Sequence, residues 1–338
     1  LNTSKQKKIR ILFFSASSGL GGAERQIYYM IKNIDKEKFE PTHLVLRSPG
    51  ETSEMLKTEG FKTSSLYSDK NGIIKTARNL KKYLKNNTFD IIYAFGYRTN
   101  LYTRIIAPLT GHKTIITAQR SVDANRNKVI SIIDKLTSKY VKLYISNSYA
   151  AAELLKKREK IKPEKIKVIH NGIDLAKYQI PETKEQLRQE YGYNNDDFIY
   201  INVGNLLPPK NQKLLINTCA QLKKKNKQFK LLIAGEGHLR QELENQIKEL
   251  ELEETITLLG KRTDIPKLLK LSDCFVFTSI WEGMPNAIME AMAAGLPIIS
   301  TDVGDSKYLV KNNENGFILT QPNDRELSEK MEILLKSK

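Results

Sequence analysis

Residues 9 to 24 read Ile9-Arg-Ile-Leu-Phe-Phe-Ser-Ala-Ser-Ser-Gly-Leu-Gly-Gly-Ala-Glu24. A run of strand length, residues 9–14, stops at a turn of small residues, and residues 23–33 continue with helical, amphipathic spacing. A strand that passes through a glycine-containing turn into a helix opens a βαβ unit. The same alternation recurs along the chain. Further strands are expected at residues 41–46, 62–66, 90–95, 114–117, 142–146 and 165–169, with helices in the gaps, residues 73–85 among them. The rhythm breaks over residues 171–195, where Asn171-Gly172, Pro181 and a polar, charged stretch signal turns. It resumes with strands expected at 198–203, 230–234, 255–259, 274–278, 297–300 and 316–319. An amphipathic helix closes the chain at about residues 324–335 through Leu327, Met331 and Leu334. The expectation is an α/β chain of two tandem Rossmann-like, doubly wound domains: residues 1–175, a linker at 176–195, and residues 196–338. Such sheets bind ligands beyond the carboxyl ends of their strands, so two of them would face a central cleft with their loops.

Composition narrows the class. At 338 residues the chain exceeds one ordinary core, and its 40% hydrophobic and 28% charged residues are those of a globular protein. No segment approaches the roughly 18 uninterrupted apolar residues of a membrane-spanning helix. Residues 1–10 are polar and basic and run straight into the first strand, so no export signal is expected. Cys219 and Cys274 each sit in an apolar periodic segment and read as buried thiols of a cytoplasmic protein. The net charge of +17 is lopsided: residues 1–170 carry 33 Lys and Arg against 14 Asp and Glu, or +19, and the remainder carries 22 against 24, or −2. A basic first half suits an anionic partner, either a membrane surface or a lipid-phosphate acceptor, or else is a solvated face. Nucleic acid is not expected, because the lysines are dispersed along helices and no nucleic-acid-binding signature is present.

Three loops carry the candidate chemistry. Gly21 and Gly22, before the first helix, would let backbone amides approach a phosphate at a helix N-terminus. A dinucleotide fingerprint would need glycine where Glu24 stands and an acid where Arg47 stands, so hydride transfer is disfavoured. The second loop, Val203-Gly-Asn-Leu-Leu-Pro-Pro-Lys-Asn211, offers Lys210 to a diphosphate and to the charge on a departing nucleotide. The third is Ser279-Ile-Trp-Glu-Gly-Met-Pro-Asn-Ala-Ile-Met-Glu290, with Glu282 in a loop and Glu290 on the next helix. That helix is small and apolar enough to be expected buried, which would make Glu290 costly unless it meets ligand hydroxyls such as those of ribose. Backbone groups of Gly283, Met284, Pro285, Asn286 and Ala287 would lie at its N-terminus. His43, His112, His170 and His238 are scattered, so no metal site is expected.

With these motifs the chain resembles glycosyltransferase family four, a group of nucleotide-sugar-dependent, metal-independent retaining enzymes of the GT-B fold. The resemblance spans nearly the whole length, through the Gly-Gly-Ala-Glu loop, Asn171-Gly-Ile-Asp174, residues 204–210, Ala234-Gly-Glu-Gly237, the Glu282 and Glu290 pair, and Gly295-Leu-Pro-Ile-Ile-Ser-Thr-Asp302. It implies that Glu282 contacts the donor hexose, Glu290 the ribose and Lys210 the diphosphate. Gly235 lies in the matching donor loop, and groups near residues 260–262, Lys261 and Arg262 among them, hold the base. Three positions depart from the family. Asn205 replaces a frequent arginine, and Thr117-Ala-Gln-Arg-Ser121 replaces a stretch with a histidine, leaving Gln119 or Arg120 there and Arg120 available to an acceptor phosphate. Near residues 305–308 a frequent glutamate is missing, and no role is assigned.

The resulting expectation is a retaining transfer of a hexose or N-acetylhexosamine from a nucleotide diphosphate sugar, with uridine as the expected base, to a glycan or lipid-linked acceptor. No cofactor and no metal are expected. Catalytic roles fall to Glu282, Lys210 and Arg120, and the setting is cytoplasmic, peripheral to the inner membrane face. Two alternatives share the pattern: a cofactor-free nucleotide-sugar epimerase, and a non-catalytic sugar-nucleotide-binding or membrane-scaffolding protein.

Overall fold

The computed structural model describes residues 7–19, 21–67, 72–120, 128–225 and 227–337. Leu20 of the first loop, Ser121 and the first six residues of the basic N-terminal stretch lie outside the described residues. The chain divides into two units, Leu1–Gly172 and Ile173–Lys338.

The first unit runs β1 (Ile9–Ser15), α1 (Gly22–Lys32), β2 (Phe39–Val45), α2 (Glu51–Thr58), β3 (Lys62–Ser65), α3 (Ile73–Asn86), β4 (Ile91–Phe95), α4 (Tyr97–Ile106), β5 (Ile115–Gln119), α5 (Lys128–Thr137), β6 (Val141–Ser146), α6 (Tyr149–Arg158) and β7 (Ile166–Val168). Its strands form one parallel sheet in the order β3-β2-β1-β4-β5-β6-β7. Alternation along β1 sends Leu12 and Phe14 to one face, with Leu80 and Leu84 of α3, and Ile11 and Phe13 to the other, with Ile27 and Ile31 of α1. Both faces are covered, which is why the strand reads as a continuous apolar run.

The second unit runs α7 (Lys184–Tyr191), β8 (Ile199–Val203), α8 (Gln212–Lys224), β9 (Lys230–Ala234), α9 (Arg240–Glu249), β10 (Ile256–Gly260), α10 (Ile265–Leu271), β11 (Cys274–Phe277), α11 (Asn286–Ala293), β12 (Ile298–Thr301), α12 (Ser306–Leu309), β13 (Gly316–Leu319) and α13 (Asp324–Leu335). Its parallel sheet has the order β10-β9-β8-β11-β12-β13. Tyr200 enters one core layer, while Ile199 and Ile201 enter the opposite one. Cys219 and Cys274 are free and buried, as expected.

In each sheet the chain begins in the middle, winds outward, and returns to the other side of its first strand. Strand order therefore reverses between β1 and β4, and between β8 and β11, and the loops that leave a reversal point diverge to open a crevice.

The expected linker at 176–195 is not a free connector. Thr183 caps α7 in a reciprocal capping box with Gln186, and Leu187 is fully buried in the second unit's core. Arg188 donates to the Leu271 carbonyl at 3.0 Å and to Asp273 at 2.6 Å. Lys184 also donates to Asp273 at 2.6 Å, and the Ile199 amide does so at 2.7 Å. Asp273 thus fastens the segment to the start of β8.

Candidate active site

The reversal point of the second sheet assembles the strongest site. β8 and β11 pair as neighbours, so the loop after Val203 and the loop after Phe277 leave the sheet side by side. Lys210, on a 3-10 turn at Pro208–Lys210, meets Glu282 from the other loop in an ion pair. The two side chains are 26% and 21% exposed, and the ammonium also lies 5.6 Å from the centre of the Phe277 ring. The loop backbones are stitched together: the Thr278 hydroxyl donates to the Lys210 carbonyl at 2.9 Å and the Ile280 amide to the Pro209 carbonyl at 2.8 Å. On the far side, the Thr301 hydroxyl donates to the Ser279 carbonyl at 2.6 Å and the Asp305 amide to the Gly283 carbonyl at 3.0 Å. The turn after β12 presses so closely on this loop that a Cβ at Gly304 would stand 2.2 Å from the Gly283 oxygen, at a backbone φ of +56°. Lys210 and Glu282 are therefore carried on a rigid support.

The other donor-side candidates take the following places. Asn205 is exposed, and its carbonyl accepts from the Gln212 side chain at 3.2 Å. Gly235 closes β9 against β10, its amide donating to the Gly260 carbonyl at 2.9 Å. Lys261 is exposed, whereas Arg262 is occupied by Asp264, whose carboxylate also accepts from Tyr191. The Arg262 guanidinium is thus committed within its own unit. Gly283, Met284 and Pro285 are buried ahead of α11, and Asn286 and Ala287 open the helix.

Glu290 requires a correction. α11 was expected to be buried, yet of its residues only Ile288 and Ala291 are buried, with Ala287 partly buried against the same core. Glu290, one residue before Ala291, is half-buried instead of enclosed. Water still reaches it, so the expected burial cost is smaller.

In the first unit, the anion site expected at Gly21 and Gly22 is covered by the chain's own carboxylate. The Ser17 hydroxyl donates to Glu24, and the second Glu24 oxygen lies 2.6 Å from the position a Cβ on Gly21 would take. Glu24 thus supplies negative charge at the start of α1, where the helix dipole favours it. Arg120 follows directly on β5 and donates to the Asn171 side chain at 2.5 Å. Burial draws its pKa down from the usual arginine value, with Tyr93 and Glu24 acting in the opposite sense. Gln119 beside it is buried. Gln26 of α1 clasps Gly172 through both amide groups, at 2.8 and 3.1 Å, holding the segment that presents Asn171.

One contact escaped the sequence reading. The Ser15 hydroxyl and the His43 Nε2 are 2.9 Å apart, and burial pushes the His43 pKa down to about 4. Their adjacency follows from the register of β1 on β2, which places Ser15 beside Val45 and Phe13 beside His43. Among the described residues, no three His, Cys, Asp or Glu side chains gather to hold a metal, and no helix is long and apolar enough to cross a membrane.

Comparison with known proteins agrees with this architecture. Residues 20–177 match the family described as Glycosyltransferase Family 4, and residues 183–338 match Glycosyl transferases group 1. The chain is 30% identical over 338 residues to the N-acetylgalactosamine-N,N'-diacetylbacillosaminyl-diphospho-undecaprenol 4-alpha-N-acetylgalactosaminyltransferase of Campylobacter jejuni, covering 96% of this chain and 89% of that one. It is 29% identical over 332 residues to the UDP-Gal:alpha-D-GlcNAc-diphosphoundecaprenol alpha-1,3-galactosyltransferase of Escherichia coli, covering 94% and 85%. The crystal structure of Anabaena Alr3699/HepE in complex with UDP superposes with a TM-score of 0.83 at 22% identity, over 97% of this chain and 90% of that one. That likeness establishes the GT-B fold. With two family matches side by side and a full-length relative at 30% identity, the chain belongs to glycosyltransferase family four.

Proposed function

We propose that the chain transfers a hexose or N-acetylhexosamine from a uridine diphosphate sugar to a lipid-linked glycan acceptor, with retention at the anomeric carbon and without a metal ion. The observation that carries the reading is the Lys210–Glu282 pair at the reversal point of the second sheet. The Lys210 ammonium neutralises the donor diphosphate and the charge that grows on the departing nucleotide, the work a metal does in other transferases. While the site holds no donor, Glu282 balances Lys210. When the diphosphate takes that cation, the carboxylate is released to accept from the hexose hydroxyls and orient the sugar. Glu290, one helical turn into α11, accepts from the ribose, and the amides of Gly283, Met284, Asn286 and Ala287 lie at the positive end of α11.

On the acceptor side, Arg120 is a partly desolvated cation and thus a favourable counter-charge for a lipid diphosphate. The two curated relatives above act on undecaprenyl-diphosphate-linked substrates by their names, which supports an acceptor of this class and a peripheral place at the cytoplasmic membrane face. The basic first unit suits that surface.

The test is a transfer assay that pairs a panel of uridine diphosphate sugars with a short-chain lipid-diphosphate glycan in the presence of a chelator. Product whose new linkage keeps the donor's anomeric configuration is expected. Interconversion of free donors with no acceptor consumed would instead indicate an epimerase. Donor binding without turnover on any acceptor would indicate a non-catalytic protein.

A further inference from the structure

We infer that the outer face of α3, α4 and α5 is the surface by which the first unit lies on an anionic phospholipid bilayer. The inference rests on the membrane setting proposed above and names the residues that would make the contact.

Helices α3 and α4 cover the same face of the first sheet, since Leu80, Leu84 and Ile106 share one core layer, and α5 packs beside α4. What these helices turn outward is unusual in two ways. On α3, Leu80 and Leu84 point into the core while Lys75, Arg78, Lys81, Lys82 and Lys85 are exposed, and the helix holds no acidic residue. The only acid on the three helices is Asp134, which is buried and bound by Arg104. The outer surface of α3, α4 and α5 therefore presents a field of cations and no exposed carboxylate, whereas α6, which covers the same sheet face through Leu155, exposes Glu153 in a pair with Lys156.

Large apolar side chains project from the same field. Ile73 and Ile74, in the first turn of α3, are 79% and 72% exposed. Leu109, just after α4, is 63% exposed and Leu136 of α5 is 66% exposed, and Ile105 of α4 and Ile132 of α5 are exposed as well. Single exposed apolar residues are ordinary, but six on adjoining helices within a one-sign charge field are not. The opposite face of the sheet supplies the contrast. Among the described residues, its helices α1 and α2 expose only Met55 of this class and carry Glu24, Glu51 and Glu54.

This combination matches the chemistry of one partner. Anionic headgroups attract the lysines within a Debye length, and the isoleucine and leucine side chains enter the boundary between headgroups and acyl chains. A nucleic acid would leave the isoleucines in water, and an acidic protein groove would not need them so far apart on three helices.

The test is flotation of the full chain with phosphatidylglycerol–phosphatidylcholine vesicles and with pure phosphatidylcholine vesicles, neither holding any acceptor. Binding is expected only to the anionic vesicles, and to fall as salt is raised. The triple change Lys75→Glu, Lys81→Glu and Lys82→Glu should weaken it by at least roughly tenfold, given about fivefold per cation near a charged surface. Ile73→Ser with Ile74→Ser should also weaken it, and thermal unfolding should show both variants folded. Failure of the unaltered chain to bind, or equal binding by both variants, would overturn the inference. So would a dimer, seen by sedimentation equilibrium, that the isoleucine changes dissolve, since the face would then serve a second copy. Turnover of a water-soluble acceptor is measured separately, so a failed transferase reading and a failed membrane face give different results.

Discussion

In the first unit β1 ends at Ser15, and the loop beyond it is closed by Glu24, which takes the Ser17 hydroxyl and sits over the start of α1. In the second unit β8 ends at Val203, and the loop beyond it extends Lys210 to meet Glu282 from across the reversal point. Strand order around the two reversal points is alike, so the difference lies wholly in what the loops carry. The first unit sets its own Glu24 carboxylate beside its helix N-terminus and keeps Arg120 on Asn171 as its cation near the strand ends. The second keeps a cation and two carboxylates on supports fixed by backbone hydrogen bonds. One architecture thus carries two different sets of loop residues: a cation and two carboxylates in the second unit, and in the first a carboxylate turned back on its own loop with an arginine held by Asn171.

The comparison can be broken most sharply at Lys210. Lys210→Ala should lower kcat by about a thousandfold, the order seen when one preorganised charge is removed from a transition state, with the unfolding temperature nearly unchanged. A modest loss of kcat would move the catalytic charge elsewhere. The next largest effect contrasts two ion-paired carboxylates, one buried and one partly buried. Asp134→Ala leaves Arg104 buried without its partner in the first unit and should cost about 3 kcal/mol in chemical unfolding. Asp273→Ala releases Lys184, Arg188 and the Ile199 amide at once and should cost a similar or smaller amount. Only the second change should expose residues 173–195 to limited proteolysis, because of the two carboxylates only Asp273 binds α7. Equal proteolysis in both variants would return that stretch to the status of a linker.

The smallest effect concerns pH. His43 is buried and stays neutral down to about pH 4, whereas the unfolded chain's histidine takes up its proton near 6.5. The unfolded state therefore binds more protons between those values, and stability contributed by His43 is lost as pH falls from 6.5 toward 4. Between pH 7 and pH 5 the loss should be about 2 kcal/mol, and His43→Gln should remove it from the pH profile of unfolding. An unchanged profile would mean that water or a neighbour relieves the burial.

The strands were legible because a strand covered on both faces is an apolar run bounded by turns, and every expected strand lies within two or three residues of its place. α7 was not legible, since Pro181 and a charged composition imitate a linker while its burial depends on Asp273, far along the chain. Glu290 was misjudged for a related reason. The small apolar residues around it suggest burial, but only Ile288 and Ala291 are buried. Gly21 and Gly22 suggested a phosphate site, and no local pattern reveals that Glu24 folds back over them. Lys210 and Glu282 were each identifiable from their motifs, but their contact follows from β8 lying beside β11, which spacing along the chain does not encode.

The most direct test of the central claim is calorimetric titration of the protein with uridine, guanosine and adenosine diphosphates and their sugars, in chelator, repeated on Lys210→Ala and Glu290→Ala. Selective binding of the uridine compounds is predicted, weakened by both substitutions. Absence of binding to every compound, or binding that neither substitution alters, would contradict a nucleotide-sugar site built on the reversal point of the second sheet.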